Sequence, residues 1–376
     1  MLPVQASSTV IRHLPLETAS AQAVPGAEVH VGSTSELNTK LLKELLTHLE
    51  TSGGAEKMDE LRASLKQFGL DTSDDDFENS KLRAAVEQLK NANDTARPQD
   101  DVSQTIAAQQ QRVKESARAL SEIQREVATG RTKANYAASQ FTAAKENALR
   151  SSAPDESSSD DEISVHTSYA QLWARMAEAI KNIKTEYVDF YADLMQKYTE
   201  MYESFNNNVQ KAGSEAVTAG KDGNNVNFDA AAMQNGYKKF QDEVDAIDLG
   251  SVKNWDQMSD AEKQTMKTTL QPAFNVDSSG KISFNLDQYN AAPNYPAGFI
   301  DFNGMVIPSK TEISTAGYQA WLASFNASGT ALQSNMQSFA QRYSQANSTF
   351  DNLNKVLSGA ISSLADSAKD VLKALG

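Results

Sequence analysis

The stretch WARMAEAIKNIKTEYVDFYADLMQKYTEMYESF, residues 173–205, decides the fold. Trp173, Met176, Ile180, Ile183, Tyr187, Phe190, Leu194, Tyr198, Met201 and Phe205 follow one another at steps of 3-4-3-4-3-4-4-3-4. Alternating steps of three and four keep the apolar residues on one side of a helix, which is the seam of a coiled coil. The doubled four-residue step, between Leu194 and Tyr198, predicts a stutter where the supercoil unwinds. This first long helix is assigned to residues 163–212.

A second seam of the same kind runs from Tyr318 to Leu375 through Trp321, Phe339, Phe350, Leu353 and Leu357, with no proline after Pro308. It is assigned to residues 313–376. At 1.5 Å per residue the two helices would be roughly 70 and 85 Å long. Two helices with matching seams and a long intervening segment satisfy each other by pairing antiparallel within one chain, without a second copy.

The segment between them, residues 213–312, holds eight of the 18 glycines and four of the nine prolines. Asp229 is placed to cap a helix carrying Met233, Tyr237, Phe240, Val244 and Ile247. Ser259 and Glu262 form a capping box ahead of Met266 and Leu270. Phe274 to Val276, a turn at Asp277-Ser-Ser-Gly280, and alternating Ile282, Phe284 and Leu286 read as a β-hairpin. Residues 299–307 predict a second hairpin around Asn303-Gly304. The segment is a compact α+β insert.

Residues 1–34 have no period and read as a mobile, disordered leader. Ser33 and Glu36 open a helical pattern with Leu37, Leu41, Leu42, Leu45, Leu46 and Leu49, stopped by Gly53-Gly54. Two further short patterns follow, Met58 to Phe68 and Leu82 to Leu89. In residues 101–150, Ile106, Val113, Leu120, Val127, Ala134, Phe141 and Ala148 recur at strict seven-residue intervals. Their companions Gln109, Ser116 and Gly130 are poor, so the seam is narrow and suits packing against another helix. Residues 35–150 therefore read as a helical hairpin or bundle, and the Ser/acidic run 151–162 as a linker. The fold class is mainly α: a long antiparallel intramolecular coiled coil, an N-terminal helical hairpin or bundle, and an inserted α+β domain.

Composition narrows the function. The 376 residues carry 49 acidic and 35 basic side chains, a formal charge of −14. Nucleic acid is disfavoured as a partner, since affinity for phosphate comes from Lys and Arg. No run approaches the ~18 apolar residues of a spanning helix. Cysteine is absent, and the four histidines, His13, His30, His48 and His166, all precede residue 167. Thiolate chemistry is thereby removed, and the C-terminal half lacks the usual general base and metal ligand. The expectation is that the chain is not an enzyme and holds no cofactor or metal.

Two loops have ligand-binding ingredients and fail on order. Asp71-x-Ser73-x-Asp75 starts like an EF-hand, but Asp76 stands where the sharp turn needs Gly and Leu82 where a bidentate Glu belongs. Gly220-Lys-Asp-Gly-Asn-Asn225 lacks the Walker sequence and reads as a turn. The ring-rich stripe Tyr187, Phe190, Tyr191, Tyr198, Tyr202 and Phe205 implies a core wider than two helices, with another element leaning on the rod. Its alternative reading is a flat groove for a sterol-like amphiphile. Residues 347–355, NSTFDNLNK, are uneconomical in a helix interior, because Asn and Asp compete for local backbone bonds. Phe350 and Leu353 belong to the seam, whereas Asn347, Asp351, Asn352 and Lys355 lie off it and are candidates for contact with a partner helix.

Three pieces resemble one known family. Tyr318-Gln-Ala-Trp321, QRYSQANSTFDNLNKVLSGAIS at 341–362 and GKDGNNV at 220–226 resemble the invasion plasmid antigen D family, the hydrophilic needle-tip proteins of bacterial type III secretion. The likeness covers roughly residues 163–376, with 341–362 its most specific part. Two places depart: members often carry an apolar residue where this chain has Asn354, and a Trp in the loop that here reads KAGSEAVTAG. The resemblance implies a protein secreted through the apparatus, located at the bacterial surface on the needle end. It implies a ring of about five copies at the tip, while the self-satisfied seams predict a monomer in solution. Its implied partners are the needle subunit, at Asn347, Asp351, Asn352 and Lys355, and the hydrophobic translocators. The N-terminal helices are implied to be a self-chaperone, and a bile salt a small-molecule signal. The competing expectation is a pore-forming translocator or helical toxin, which needs membrane-inserting hairpins.

Overall fold

The computed structural model describes residues 79–95, 101–151, 169–221, 224–296 and 310–375. The predicted leader 1–34, the helical patterns within residues 35–70, the linker 152–162 and the hairpin at 299–307 lie outside the described residues.

Helix α1, Ser80–Thr95, begins where Asn79 Oδ1 accepts the Leu82 amide at 3.2 Å. It buries Leu82, Ala85, Val86, Leu89 and Ala92, the single stripe expected of an amphipathic helix. Helix α2, Val102–Ser151, starts under Asp101, whose carboxylate accepts the Ser103 amide at 2.7 Å. The strict heptad holds in its second half, where Leu120, Val127, Ala134 and Phe141 are buried. In the first half it fails: Ile106 and Val113 are half-exposed, and Thr105, Gln109, Arg112 and Ser116 are buried instead. A straight α-helix drifts about 20° per heptad against a seven-residue repeat. The buried line therefore slides one position back, from Val127 and Leu120 to Arg112 and Thr105.

The first rod helix runs from 169 to 215 as five consecutive pieces. These are α3 Tyr169–Ile183, a π-helical turn Lys184–Val188, α4 Asp189–Ser204, a second π turn Phe205–Gln210 and α5 Lys211–Glu215. Leu194 and Tyr198 are both buried in regular α4, so the four-residue step between them passes without a break in the α-helix. The two π turns lie on either side of α4. Consecutive residues are buried together in the second π turn, as at Phe205 and Asn206, and equally in α4, as at Tyr191 and Ala192. The helix is thus covered on more than one side, by α2 and by the insert.

The second rod helix, α9, spans Thr315–Leu375. It pairs antiparallel with the first: Tyr202 Oη donates to the Gly329 carbonyl at 3.3 Å, Tyr198 Oη to the Leu332 carbonyl at 3.0 Å, and the Tyr191 and Phe339 rings lie 5.8 Å apart. Ile180, Tyr187, Leu194, Trp321, Phe339, Phe350 and Leu353 are buried as seam residues. The side chains of Trp173 and Leu357 lie outside the described residues. Helix α2 lies along both rod helices, antiparallel to the first and parallel to α9. Asn206 Nδ2 donates to the Val113 carbonyl, Gln124 Nε2 to Glu203, and Tyr343 Oη to the Val127 carbonyl.

Between the rod helices, β1 Val217–Ala219 and β2 Asn225–Phe228 flank the turn read from Gly220 to Asn225. Helix α6, Ala230–Asp245, is capped by Asp229, and α7, Asp260–Leu270, by the Ser259–Glu262 box. Strands β3 Phe274–Val276 and β4 Ile282–Phe284 form the predicted hairpin, followed by the short helix α8, Asp287–Asn290. Strand β5, Thr311–Ser314, closes a three-stranded antiparallel sheet in the order β1-β2-β5 and leads straight into α9.

Candidate functional site

The rings of the first rod helix decide where the insert sits. Tyr198 meets Phe274 edge-on at 5.5 Å, Phe274 meets Phe339 at 4.9 Å, and Phe205 meets Phe240 at 5.8 Å. The stripe is thus a three-way core in which the β3–β4 hairpin and α6 lean on the rod. Tyr187, Tyr191, Tyr198, Tyr202 and Phe205 are buried in it. Burial pushes the Tyr198 phenol well above its ordinary pKa, so its proton stays available for the Leu332 carbonyl. An apolar groove of about 60 Å³ lies between Tyr187, Phe190 and Tyr191 on the rod and Val252, Met258 and Met266 on the insert.

The polar stretch 347–355 continues the same helix beyond the insert. Asp351 and Lys355 are exposed, Asn347 and Asn352 half-exposed, and Phe350 and Leu353 buried, as the seam phase requires. The four candidates lie on one side of α9, but only two of them face a cleft. Asn347 and Asp351, with Ser344 and Ser348, line a cleft of about 410 Å³ whose far wall is the start of α1 and residues Arg125 to Ala134 of α2. Asn352 and Lys355 do not line this cleft. Half of the candidate face is therefore turned toward the N-terminal helices.

Contact on that side is close. Tyr343 bonds the Val127 carbonyl at 3.2 Å, and burial raises its pKa while hydrogen bonding to Asn347 and the nearby Arg131 guanidinium oppose the rise. A Cβ at Gly130 would stand 2.5 Å from Tyr343 Oη and 3.2 Å from Asn347 Nδ2. Gly130 reads in the sequence as a poor seam residue; in the fold it is the notch that lets the two helices meet. The neighbouring Asn354 is buried, and neither of its amide atoms has a hydrogen-bond partner among the described residues.

Residues 50–258 and 299–372 match the family model for type III secretion systems tip complex components. The chain belongs to this family. The matched segments take in α1, α2, the first rod helix, α9 up to residue 372 and, in the insert, β1, β2, α6 and β5, while α7, β3, β4 and α8 fall between them. Tip-complex components are secreted proteins located at the end of the needle, and that is the location of this chain. It is similar to invasin IpaD of Shigella flexneri, at 29% identity over 226 residues, 59% of this chain and 65% of that one. It is also similar to cell invasion protein SipD of Salmonella typhimurium, at 29% over 212 residues, 54% and 62% of the two chains. Translocator protein BipD of Burkholderia pseudomallei matches at 28% over 189 residues, 50% and 54%. The alignments thus span between about half and two thirds of these relatives. A solved BipD structure superposes with a TM-score of 0.46 at 21% identity, covering 77% of this chain and 98% of that one.

None of these relatives is named as an enzyme. Among the described residues, three or more His, Asp or Glu side chains nowhere gather as a metal would require, and no helix is long and apolar enough to cross a membrane.

Proposed function

We propose that this tip-complex protein caps the needle, holds secretion back before host contact and recruits the hydrophobic translocators that deliver effectors. In dilute solution it is a monomer, because the rod satisfies its own seams; at the tip it forms a closed ring of about five copies. The needle subunit docks on the polar face of α9 at Asn347, Asp351, Asn352 and Lys355. Residues 35–150 act as a self-chaperone that covers part of this face until assembly. The observation carrying the reading is the cleft between α2 and α9, where Asn347 and Asp351 face the N-terminal helices rather than the seam.

A bile salt as signal would engage the rings Tyr187, Phe190 and Tyr191 at the edge of the insert. Ligand pockets usually hold at least ~300 Å³, and the groove there is far smaller. Binding therefore requires the insert to move off the rod.

Titration of the needle subunit against the full chain and against Asp351→Ala and Lys355→Ala tests the docking face. Both changes leave the melting temperature within a few degrees, as surface substitutions do. Each weakens binding by about 1–2 kcal/mol through loss of a charged hydrogen bond. Unchanged affinity in both variants would mark the face as ordinary solvated surface.

A further inference from the structure

The first half of α2 is held to the rod by something other than an apolar seam. Arg112 is only 1% exposed and is among the largest fully buried side chains of the described residues. Its Nε donates to Asn93 Oδ1 of α1 at 2.8 Å, and its Nη1 donates to Asn326 Oδ1 of α9. The Tyr202 phenol of the first rod helix faces the guanidinium and accepts from Asn93 Nδ2 at 3.1 Å. One side chain thus ties together α1, α2 and both rod helices.

Every one of these partners is neutral. Among the described residues no carboxylate pairs with Arg112. Among the described residues its Nη2 has no hydrogen-bond partner, and neither do the side-chain atoms of buried Gln210 beside it. Room for Nη2 exists only because residue 329 is glycine: a side chain there would collide with Nη2 and crowd Phe205 and Gln210 at 3.3 and 3.4 Å.

Two physical effects follow from this seat. A buried polar group that fits at one position fixes the axial register of helices whose apolar seam would tolerate a heptad slip. A buried cation without a counter-charge also loses its hydration with little in exchange, so the docked state is less stable than an apolar seat would make it.

We propose that Arg112, inserted opposite Gly329 and Asn326, pins the register of the N-terminal helices on the rod and at the same time makes them readily released. The proposal rests on the reading of these helices as a removable cover, and concerns how the cover is held. Apolar residues at this point would give a tighter cover, but one free to slip and slow to leave.

Amide hydrogen exchange on the full chain tests it, comparing residues 102–123 of α2 with the amides of α4 and α9. In the natural protein the α2 amides exchange faster than those of the rod. Arg112→Met with Asn326→Leu replaces the seat by apolar side chains, and is expected to slow α2 exchange roughly tenfold or more while rod exchange is unchanged. Gly329→Ala fills the notch and is expected to speed α2 exchange by about the same factor. Faster α2 exchange in the Met/Leu variant, or loss of its fold, would show that Arg112 is plain adhesive and overturn the proposal. Unaltered exchange in Gly329→Ala would overturn the pin. A needle-subunit titration on the same proteins separates the two readings. If the Met/Leu variant is tighter by exchange yet binds the needle subunit as the natural protein does, the cover reading fails while the pin stands.

Discussion

Tyr343 reaches the backbone of α2 through a gap that exists because residue 130 has no side chain: its hydroxyl bonds the Val127 carbonyl at 3.2 Å, and a Cβ at position 130 would stand 2.5 Å from it. Glycine inside a helix is unfavourable by about 1 kcal/mol relative to alanine. Gly130→Ala should therefore stabilise an isolated helix, but here it forces Tyr343 aside. The expected outcome is a net loss of about 1–3 kcal/mol, as for other overpacked sites. Tyr343→Phe in the same chain removes the colliding oxygen, so the double variant should regain part of the loss in urea denaturation.

Phe339 occupies the meeting point of the rod and the insert, with Tyr191 at 5.8 Å and Phe274 at 4.9 Å. Phe339→Asp places a carboxylate there without a cationic partner. The expected loss is about 4 kcal/mol or more, enough to abolish the cooperative thermal transition seen by circular dichroism. Retention of a native melting curve would show that the rod tolerates a charge at its centre.

Asn354 buries an amide with no partner for either atom among the described residues. Asn354→Leu removes two unsatisfied groups and adds apolar contact. It should raise stability by about 1–2 kcal/mol, measured as a higher denaturation midpoint with an unchanged slope.

The β3–β4 turn depends on one exposed carboxylate. Asp277 accepts from the Ser279 hydroxyl at 2.7 Å, the Ser279 amide at 2.8 Å and the Lys281 amide at 3.0 Å, and these bonds hold its pKa below the ordinary carboxylate value. A depressed folded-state pKa adds stability that is present above the unfolded value and disappears as pH falls through the folded one. The Ser279 and Lys281 amides should therefore lose protection in acid before the α6 and α7 amides do. Asp277→Ala should remove that pH dependence from the hairpin.

What local chemistry fixes was readable in advance. Asp229, the Ser259–Glu262 box and the hairpin around Asp277 each depend on residues within a few positions of one another, and each stands where the spacing put it. The sheet β1-β2-β5 was not readable, because its strands are three or four residues long and β5 joins from more than 80 positions away. The first half of α2 was misread for another reason. Apolar spacing there points to Ile106 and Val113, yet Arg112 is anchored by Asn93 and Asn326, which only the fold brings near. In the docking candidates, spacing separates Phe350 and Leu353 from their polar neighbours. It holds no sign that Asn347 and Asp351 turn toward α2 while Asn352 and Lys355 do not.

Tyr198, Tyr202 and Tyr343 all donate their hydroxyls to main-chain carbonyls of an opposing helix, at Leu332, Gly329 and Val127. A carbonyl is present whatever residue occupies the acceptor position. These bonds are therefore encoded on the tyrosine side: at Leu332 and Val127 the acceptor residue is free to change while its helix stays in place, whereas Gly329 is also held by the space that Arg112 needs. A saturation scan read out by folding yield would be lopsided at these contacts. Position 332 would admit any apolar residue of similar bulk, whereas position 198 would reject even phenylalanine more often than its size alone explains. A bundle wired this way keeps its helix order while the partner surfaces diversify.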